Sequence, residues 1–423
     1  MNKPLLLFQG PVATRSGYGD HSRDLLKSLF EMDKFDIKIV PMRWGNTPQN
    51  QLNPNDEFHQ KILSNIAVQV DKQPDVFIQV SVANEFTKVG KYNIGVTAGV
   101  ETTVAPKEFI DGCNQMDLVL VPSDFTKQVL EKTSFAETDR RTGQKIRDIK
   151  VTTPIEVLFE GVDTNIFNGK VNLRESKDIL KNIDTQFNFL YVGHWLAGDL
   201  GHDRKDTGMM IKTFCTVFKN LPKDKQPGLI LKTSSAGFSV GERESIHEKI
   251  KAITQEYGDK CPPIYLVWGD LLESELNELY NDNRVKAMIS FTKGEGYGRP
   301  LAEFATTGKP IIVSRWSGHC DFLPENNTVY LEGELKNVHE TSQNQFLLKD
   351  ARWFYVDYSK AAQSIFDVHK NYDTYLKKSQ GLAENIKNNF SLNKMTESFK
   401  RIVEKYVKIQ QKVELVLPQI KKL

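Results

Sequence analysis

Between Val285 and Val313 the chain reads as strand, glycine-spaced turn, helix and strand, a unit that few folds other than a parallel α/β sheet accommodate. The apolar run Val285 to Phe291 suits a buried strand, and Gly294-Glu295-Gly296-Tyr297-Gly298 forms the turn. Pro300 fits a first helical position, where its missing N–H is no loss, and Leu301, Phe304 and Ala305 have the apolar spacing of one buried helix face. Gly308-Lys309-Pro310 ends the helix before the strand Ile311-Ile312-Val313. A turn of this kind aims backbone N–H groups and a positive helix end at one spot, which suits a phosphate. Glu295 sits at its mouth and Glu303, eight positions on, lies about a turn into the helix. Both can reach hydroxyls of a ligand whose phosphates occupy the turn, so the implied ligand is a sugar attached to a nucleoside diphosphate.

The same rhythm runs from end to end. Strands are expected at Leu5–Phe8, Ile37–Val40, Val76–Val80, Asn93–Thr97, Leu118–Val121 and Ile155–Leu158, with helices at about Asp20–Phe30, Lys107–Asn114 and Asp124–Lys132. Polar, mixed-charge residues 134–153 read as a surface excursion, and 161–186 as a linker. A second set of strands is expected at Phe189–Val192, Leu229–Lys232, Ile264–Val267, Ala287–Phe291, Pro310–Ser314 and Thr328–Leu331. After Tyr355 the pattern is helical, with long segments at Tyr372–Asn388 and Asn393–Gln411. At 423 residues the chain exceeds what one core usually supports, so two α/β domains facing a cleft are expected. The boundaries read as 1–168 and 169–388, with 389–423 as a terminal helix packing back on the first domain.

Bulk properties narrow the function. A net charge of +2 gives no global field toward nucleic acid or membrane. The four cysteines, Cys113, Cys215, Cys261 and Cys320, have no metal-type spacing and read as reduced thiols of a cytoplasmic protein. The N-terminal apolar run is too short for a signal peptide, and no apolar run reaches the roughly 18 residues of a membrane span. Arg140, Arg141, Lys145, Arg147 and Lys150 form a basic stretch, but Glu137, Asp139 and Asp148 are mixed into it, which favours a solvated loop.

The turn resembles the signature of retaining glycosyltransferases of the two-Rossmann-domain GT-B fold, the large family that includes sucrose synthases and bacterial mannosyltransferases. Both Glu, the turn glycines, Pro300, Gly308 and Pro310 match, and the resemblance extends from Gly10 to the final helix. It implies that Gly17 and Gly19, in a glycine-rich loop after the first strand, lie against the donor, with Asp20 as the N-cap of the next helix; Arg15 and His21 stand equally well as surface residues. Gly193-His194 stands where the family has Gly-Arg, so His194 is a departure. Arg204 and Lys205 match the family's basic pair that holds the diphosphate, and Lys232 is a weaker candidate for the same job. Glu101 and Pro106 resemble one branch of the family that lacks the usual His, although Val100 stands where that branch has Trp. Glu101 then orients the acceptor, acts as its base, or caps the following helix. Ser123 reads as a helix cap on a turn facing the cleft. Trp316 either stacks on a ligand or packs the hinge. Glu160-Gly161-Val162-Asp163 with Phe167 resembles the family's closing motif of the first domain, and Asn389-Phe390-Ser391 its entry to the terminal helix.

The resemblance implies a retaining hexosyl- or pentosyltransferase that uses a UDP- or GDP-sugar as co-substrate, with no cofactor and no metal. The catalytic set would be Glu295, Arg204, Lys205 and Glu101. The donor would rest on Gly17, Gly19, Gly193, Gly296, Tyr297, Gly298, Arg299, Pro300, Leu301 and Glu303, with Glu303 receiving the ribose hydroxyls. The acceptor stays open among glycan, small molecule, lipid and, in a phage-type enzyme, a hydroxymethylated DNA base. A sugar-nucleotide epimerase and a non-catalytic sugar-nucleotide binding protein remain alternatives.

Overall fold

The computed structural model describes residues 3–139, 141–169, 179–235 and 239–408; Arg140, part of the expected linker and the end of the last expected helix lie outside them. The first sheet contains β1 (Leu5–Gly10), β2 (Asp36–Pro41), β3 (Val76–Val80), β4 (Tyr92–Val96) and β5 (Leu118–Val121). A hairpin, β6 (Ser134–Thr138) and β7 (Lys145–Lys150), precedes its last strand, β8 (Ile155–Val157). The strands are parallel, in the order β2-β1-β3-β4-β5-β8. The second sheet has β9 (Asn188–His194), β10 (Gly228–Ser234), β11 (Ile264–Val267), β12 (Val285–Ser290), β13 (Ile311–Ser314) and β14 (Val329–Leu331) in the parallel order β11-β10-β9-β12-β13-β14. A second hairpin, β15 (Gly333–Asn337) and β16 (Arg352–Val356), follows it. Runs such as Leu118–Val121 and Ile311–Ser314 are buried at every position because helices cover both sheet faces.

Four local expectations change. The first helix, Gly17–Met32, is capped by Ser16, whose hydroxyl accepts from Gly19 N, so Asp20 lies inside the first turn. The excursion at 134–153 is the β6–β7 hairpin, whose exposed faces carry charge. The helix expected across Tyr372–Asn388 is two helices, Tyr372–Ser379 and Gly381–Asn389, with Gly381 pressed against the Asn327 side chain. A helix at Glu57–Ser64, which buries only Ile62, had no sequence signature strong enough to read.

The final helix, Leu392–Tyr406, crosses to the N-terminal core. Leu392, Met395, Phe399 and Val403 join Leu25, Leu26 and Leu29 there. Burying four such side chains contributes about 6–12 kcal/mol as an upper bound. The chain is pinned where it crosses, with Leu392 N donating to Val162 O at 2.8 Å and Val162 N donating to Phe390 O at 2.9 Å. Both sheets therefore present the carboxyl ends of their strands to a common interface.

Candidate active site

Strand order reverses between β9 and β12, which makes the loops that follow them a topological switch point, the crevice where open α/β sheets bind ligands. The loop after β9 carries Arg204 and Lys205, and the loop after β12 carries Glu295. Arg204 Nη1 donates to Gly294 O at 2.7 Å and lies 3.2 Å from Glu295 Oε2; Lys205 Nζ binds Glu295 Oε1. Thr292 Oγ1 donates to Glu295 Oε1 at 2.7 Å, and Glu295 N donates to Ser317 Oγ at 2.9 Å. From the N-terminal domain, Glu101 Oε2 lies 2.8 Å from Arg204 Nε, a charge contact whose N–H is not aligned as a hydrogen bond. Glu101 does not cap the following helix, Lys107–Cys113, whose N-cap is Pro106.

Two cations and two carboxylates thus form a neutral quartet in which Arg204, Lys205 and Glu295 are nearly buried and Glu101 is partly exposed. Burial alone would raise the Glu295 carboxyl, but Lys205 and then Arg204 overcome it and hold it at about 2. Burial raises Glu101 in spite of Arg204 and lowers Lys205 in spite of Glu295. Burial works against the Arg204 charge, but Glu101 and Glu295 hold its pKa above the ordinary value. His194, at the family's Arg position, is pushed down to about 4 by burial and then by Lys205, and it shares a 3.0 Å contact with Ser234 Oγ. It is a neutral imidazole there.

Glu303 lies in a second cluster. Arg299 Nε donates to Glu303 Oε1 at 3.0 Å and Tyr280 O–H donates to Oε2 at 3.2 Å, so each carboxylate oxygen already has a protein donor. Burial pushes this carboxyl up to about 8, against the pull of Arg299. Arg299 Nη1 also donates to Asp24 at 2.7 Å and lies 3.9 Å from Glu160, which ties the two domains together. Burial lifts Glu160 to about 7, again against Arg299. His21 is buried in this region, not on the surface, and burial followed by repulsion from Arg299 lowers it to about 3.

The glycines divide by role. A Cβ on Gly294 would run into the Glu101 carbonyl oxygen, and one on Gly296 into that of Ala98, so these positions are glycine because the two domains meet backbone to backbone. Gly298 has a φ of 101° and starts the helix Arg299–Ala305, with Pro300 at its second position rather than its first. Gly19 abuts the Thr14 backbone, and Gly193 faces the Tyr191 hydroxyl, whereas Gly17 has open space beside it. Tyr297 and Leu301 turn their side chains into the core of the second domain, leaving only their backbones to a ligand.

Other residues close the interface. Ser123 caps the helix Asp124–Lys132 and also donates to Gly296 O at 2.6 Å. Trp316 packs edge-on against Phe125 at 4.8 Å, a contact between the two domains. Arg15 lies 3.7 Å from Asp270 across the cleft, and Asp270 opposes the lowering of Lys232 by burial. On the β6–β7 hairpin, Arg147 pairs with Glu137 at 2.6 Å and Lys145 with Asp148 at 2.7 Å, so two of the cations of the basic stretch are neutralised within it. A cavity of 620 Å³ lined by Lys3, Phe30, Asp36 and Lys61 lies at the amino ends of β1 and β2, on the side away from the switch point. Sequence reasoning missed Thr292, Ser317 and Tyr280 as supports of the two Glu, and Asp24 and Glu160 as partners of Arg299. A Thr three residues before Glu295 was the one local signal.

Two six-stranded parallel sheets, joined carboxyl end to carboxyl end and crossed by a terminal helix, decide the architecture. The fold is GT-B. A glycosyltransferase from Rickettsia africae ESF-5 superposes with a TM-score of 0.58 at 17% identity, over 97% of this chain and 100% of that one. Sucrose-phosphate synthase from Thermosynechococcus elongatus superposes at 0.60 and 14% identity, over 96% and 99%. Anabaena HepE, in complex with UDP and glucose, superposes at 0.54 and 10% identity, over 95% and 100%. No family model matches the sequence, and no curated protein does either. Among the described residues no helix is long and apolar enough to cross a membrane.

Proposed function

We propose that this GT-B chain is a glycosyltransferase that moves a sugar from a nucleoside-diphosphate sugar to an acceptor hydroxyl with retention of configuration. The observation that carries the reading is the Arg204–Lys205–Glu295–Glu101 quartet at the switch point, where groups from both domains meet. The donor diphosphate lies against Arg204 and Lys205, with the backbones of Gly296 to Arg299, Gly17 and Gly193 completing the cradle. The departing diphosphate gains negative charge in the transition state, and preorganised cations in a site shielded from water stabilise that charge without a metal. Glu295, kept ionised, accepts hydrogen bonds from the sugar hydroxyls. Glu303 accepts from the ribose through its remaining lone pairs. Glu101 faces this set from the acceptor side. No residue of the quartet is placed as a nucleophile, and the acceptor attacks on the leaving-group face while a phosphate oxygen takes its proton. The nucleotide held by Anabaena HepE, on the same fold, supports a uridine donor ahead of guanosine.

A thermal-shift screen of UDP-, GDP- and ADP-sugars tests the donor assignment, since a ligand that binds only the folded state raises its melting temperature by mass action. The matching donor should then be consumed slowly in water, releasing sugar and nucleoside diphosphate, and the anomeric proton coupling of the first-formed sugar should match that of the donor. No shift with any sugar nucleotide would end the donor assignment. Binding without hydrolysis or transfer would favour a binding protein, and an isomerised donor an epimerase.

A further inference from the structure

Lys293 lies on the loop after β12, two residues before Glu295, and its fully buried side chain reaches the loop after β9. An ammonium is stable out of water only when it is paired and its protons are accepted. Lys293 Nζ lies 3.0 Å from the Asp206 carboxylate, donates to Asp203 O at 3.0 Å, and sits 4.7 Å from the centre of the Tyr355 ring. Its main chain is engaged as well, with Lys293 N donating to Arg204 O at 2.7 Å and Lys293 O accepting from Phe354 N at 3.0 Å. The main chain therefore holds Arg204, and the ammonium holds the residues that flank Arg204 and Lys205 on both sides.

Asp206 shows how tightly this loop is defined. It occupies the N-cap of the helix Thr207–Phe218, yet makes no side-chain cap bond there. Its carboxylate turns instead to Lys293 and to the Tyr358 hydroxyl, which donates at 2.7 Å. Its φ of 53° lies in the left-handed region, which Asp tolerates better than most residues and which its bonds to Lys293 and Tyr358 help to hold.

We propose that Lys293 is a positioning residue: it clasps the 203–206 loop so that Arg204 and Lys205 face Glu295 in the one arrangement that receives the donor diphosphate. The proposal rests on the glycosyltransferase reading for the identity of the ligand, but its geometry concerns only the two loops. Lys293 touches no ligand. It acts through Arg204 and Lys205, whose placement matters because cationic groups displaced by a fraction of an ångström lose much of their hold on a transition state.

The test compares Lys293→Met/Asp206→Asn, which removes both charges so that neither is left buried alone, with Lys293→Arg and the milder Tyr358→Phe. Melting temperature, calorimetric affinity for UDP and for uridine, and the NMR signal of the Arg204 Nε–H group, assigned with Arg204→Lys, are recorded for each. The double variant should remain folded and lose about 10–100-fold in UDP affinity with uridine affinity unchanged. Its Arg204 signal should shift or broaden. Tyr358→Phe should move the same readouts by a smaller amount, and Lys293→Arg should retain part of the affinity. A folded double variant with unchanged UDP affinity and an unmoved Arg204 signal would overturn the proposal, leaving Lys293 a core residue only. If the double variant does not fold, Tyr358→Phe decides on the same criteria. If the wild-type protein binds no nucleoside diphosphate, the donor reading fails separately, and the Arg204 signal alone decides whether Lys293 positions it.

Discussion

In the ligand-free quartet Glu101 occupies a side of Arg204 that an incoming diphosphate also needs, so replacing it with a neutral isostere should tighten donor binding. At the 2.8 Å separation of Glu101 and Arg204 the direct attraction is large. With an effective dielectric constant of about 20 it reaches roughly 6 kcal/mol. The Glu101 side chain is 27% exposed and its contact with Nε is poorly aligned, so most of that attraction is screened. About 1 kcal/mol, the upper end for a screened ion pair, remains as competition against an anionic ligand. Glu101→Gln should therefore bind UDP about 5-fold more tightly than wild type, with uridine affinity unchanged because uridine carries no phosphate. Turnover should fall, since the acceptor side loses its carboxylate. Titration calorimetry with UDP and uridine, paired with steady-state kinetics, reads all three quantities. A Glu101→Gln protein that binds UDP no more tightly than wild type would refute the competition argument.

The acid limb of stability should depend on Glu295. Its folded pKa is depressed from 4.5 to about 2, so its stabilisation is present above the unfolded value and is lost as pH falls through about 2. Glu295→Gln should cost about 3 kcal/mol in urea unfolding at neutral pH, with the gap to wild type closing toward pH 2. A pH-independent gap would count against this. Gly296→Ala drives a methyl group into the Ala98 carbonyl across the interface. It should lower the melting temperature and increase the radius of gyration by X-ray scattering, whereas an unchanged radius would mean that the contact gives way locally. Phe399→Ala should destabilise the protein by about 3–5 kcal/mol in urea, because the ring is fully buried in the N-terminal core. A loss below about 1 kcal/mol would show that the terminal helix packs only loosely.

The parallel strands could be read from sequence because burial on both faces leaves uninterrupted apolar runs, as at Val76–Val80 and Leu118–Val121. The hairpins could not. β6 and β7 are short, mostly exposed strands with few apolar residues, and the polar segment between β15 and β16 hides their pairing. The break at Gln380 leaves no mark on the sequence because Gln380 keeps helical dihedrals and the helical periodicity continues through it. Within the site, Arg204, Lys205 and Glu295 were legible as cations and a carboxylate on loops after strands. The partners of Glu101 and Arg299 were not, because both contacts join elements far apart in sequence across the domain interface. The sequence marks Gly296 as part of a phosphate-type turn, and it does not show that Gly294 and Gly296 must also be glycine to let the opposite domain approach.

Titration of UDP, and of the other nucleoside diphosphates in parallel, into wild type and into Arg204→Gln/Lys205→Gln tests the central claim most directly. The account predicts a saturable complex with wild type and a loss of at least about 100-fold in affinity when both cations are removed. The nucleoside alone should bind both proteins equally. Undiminished diphosphate binding by the folded double variant would contradict the assignment of Arg204 and Lys205 as the diphosphate site.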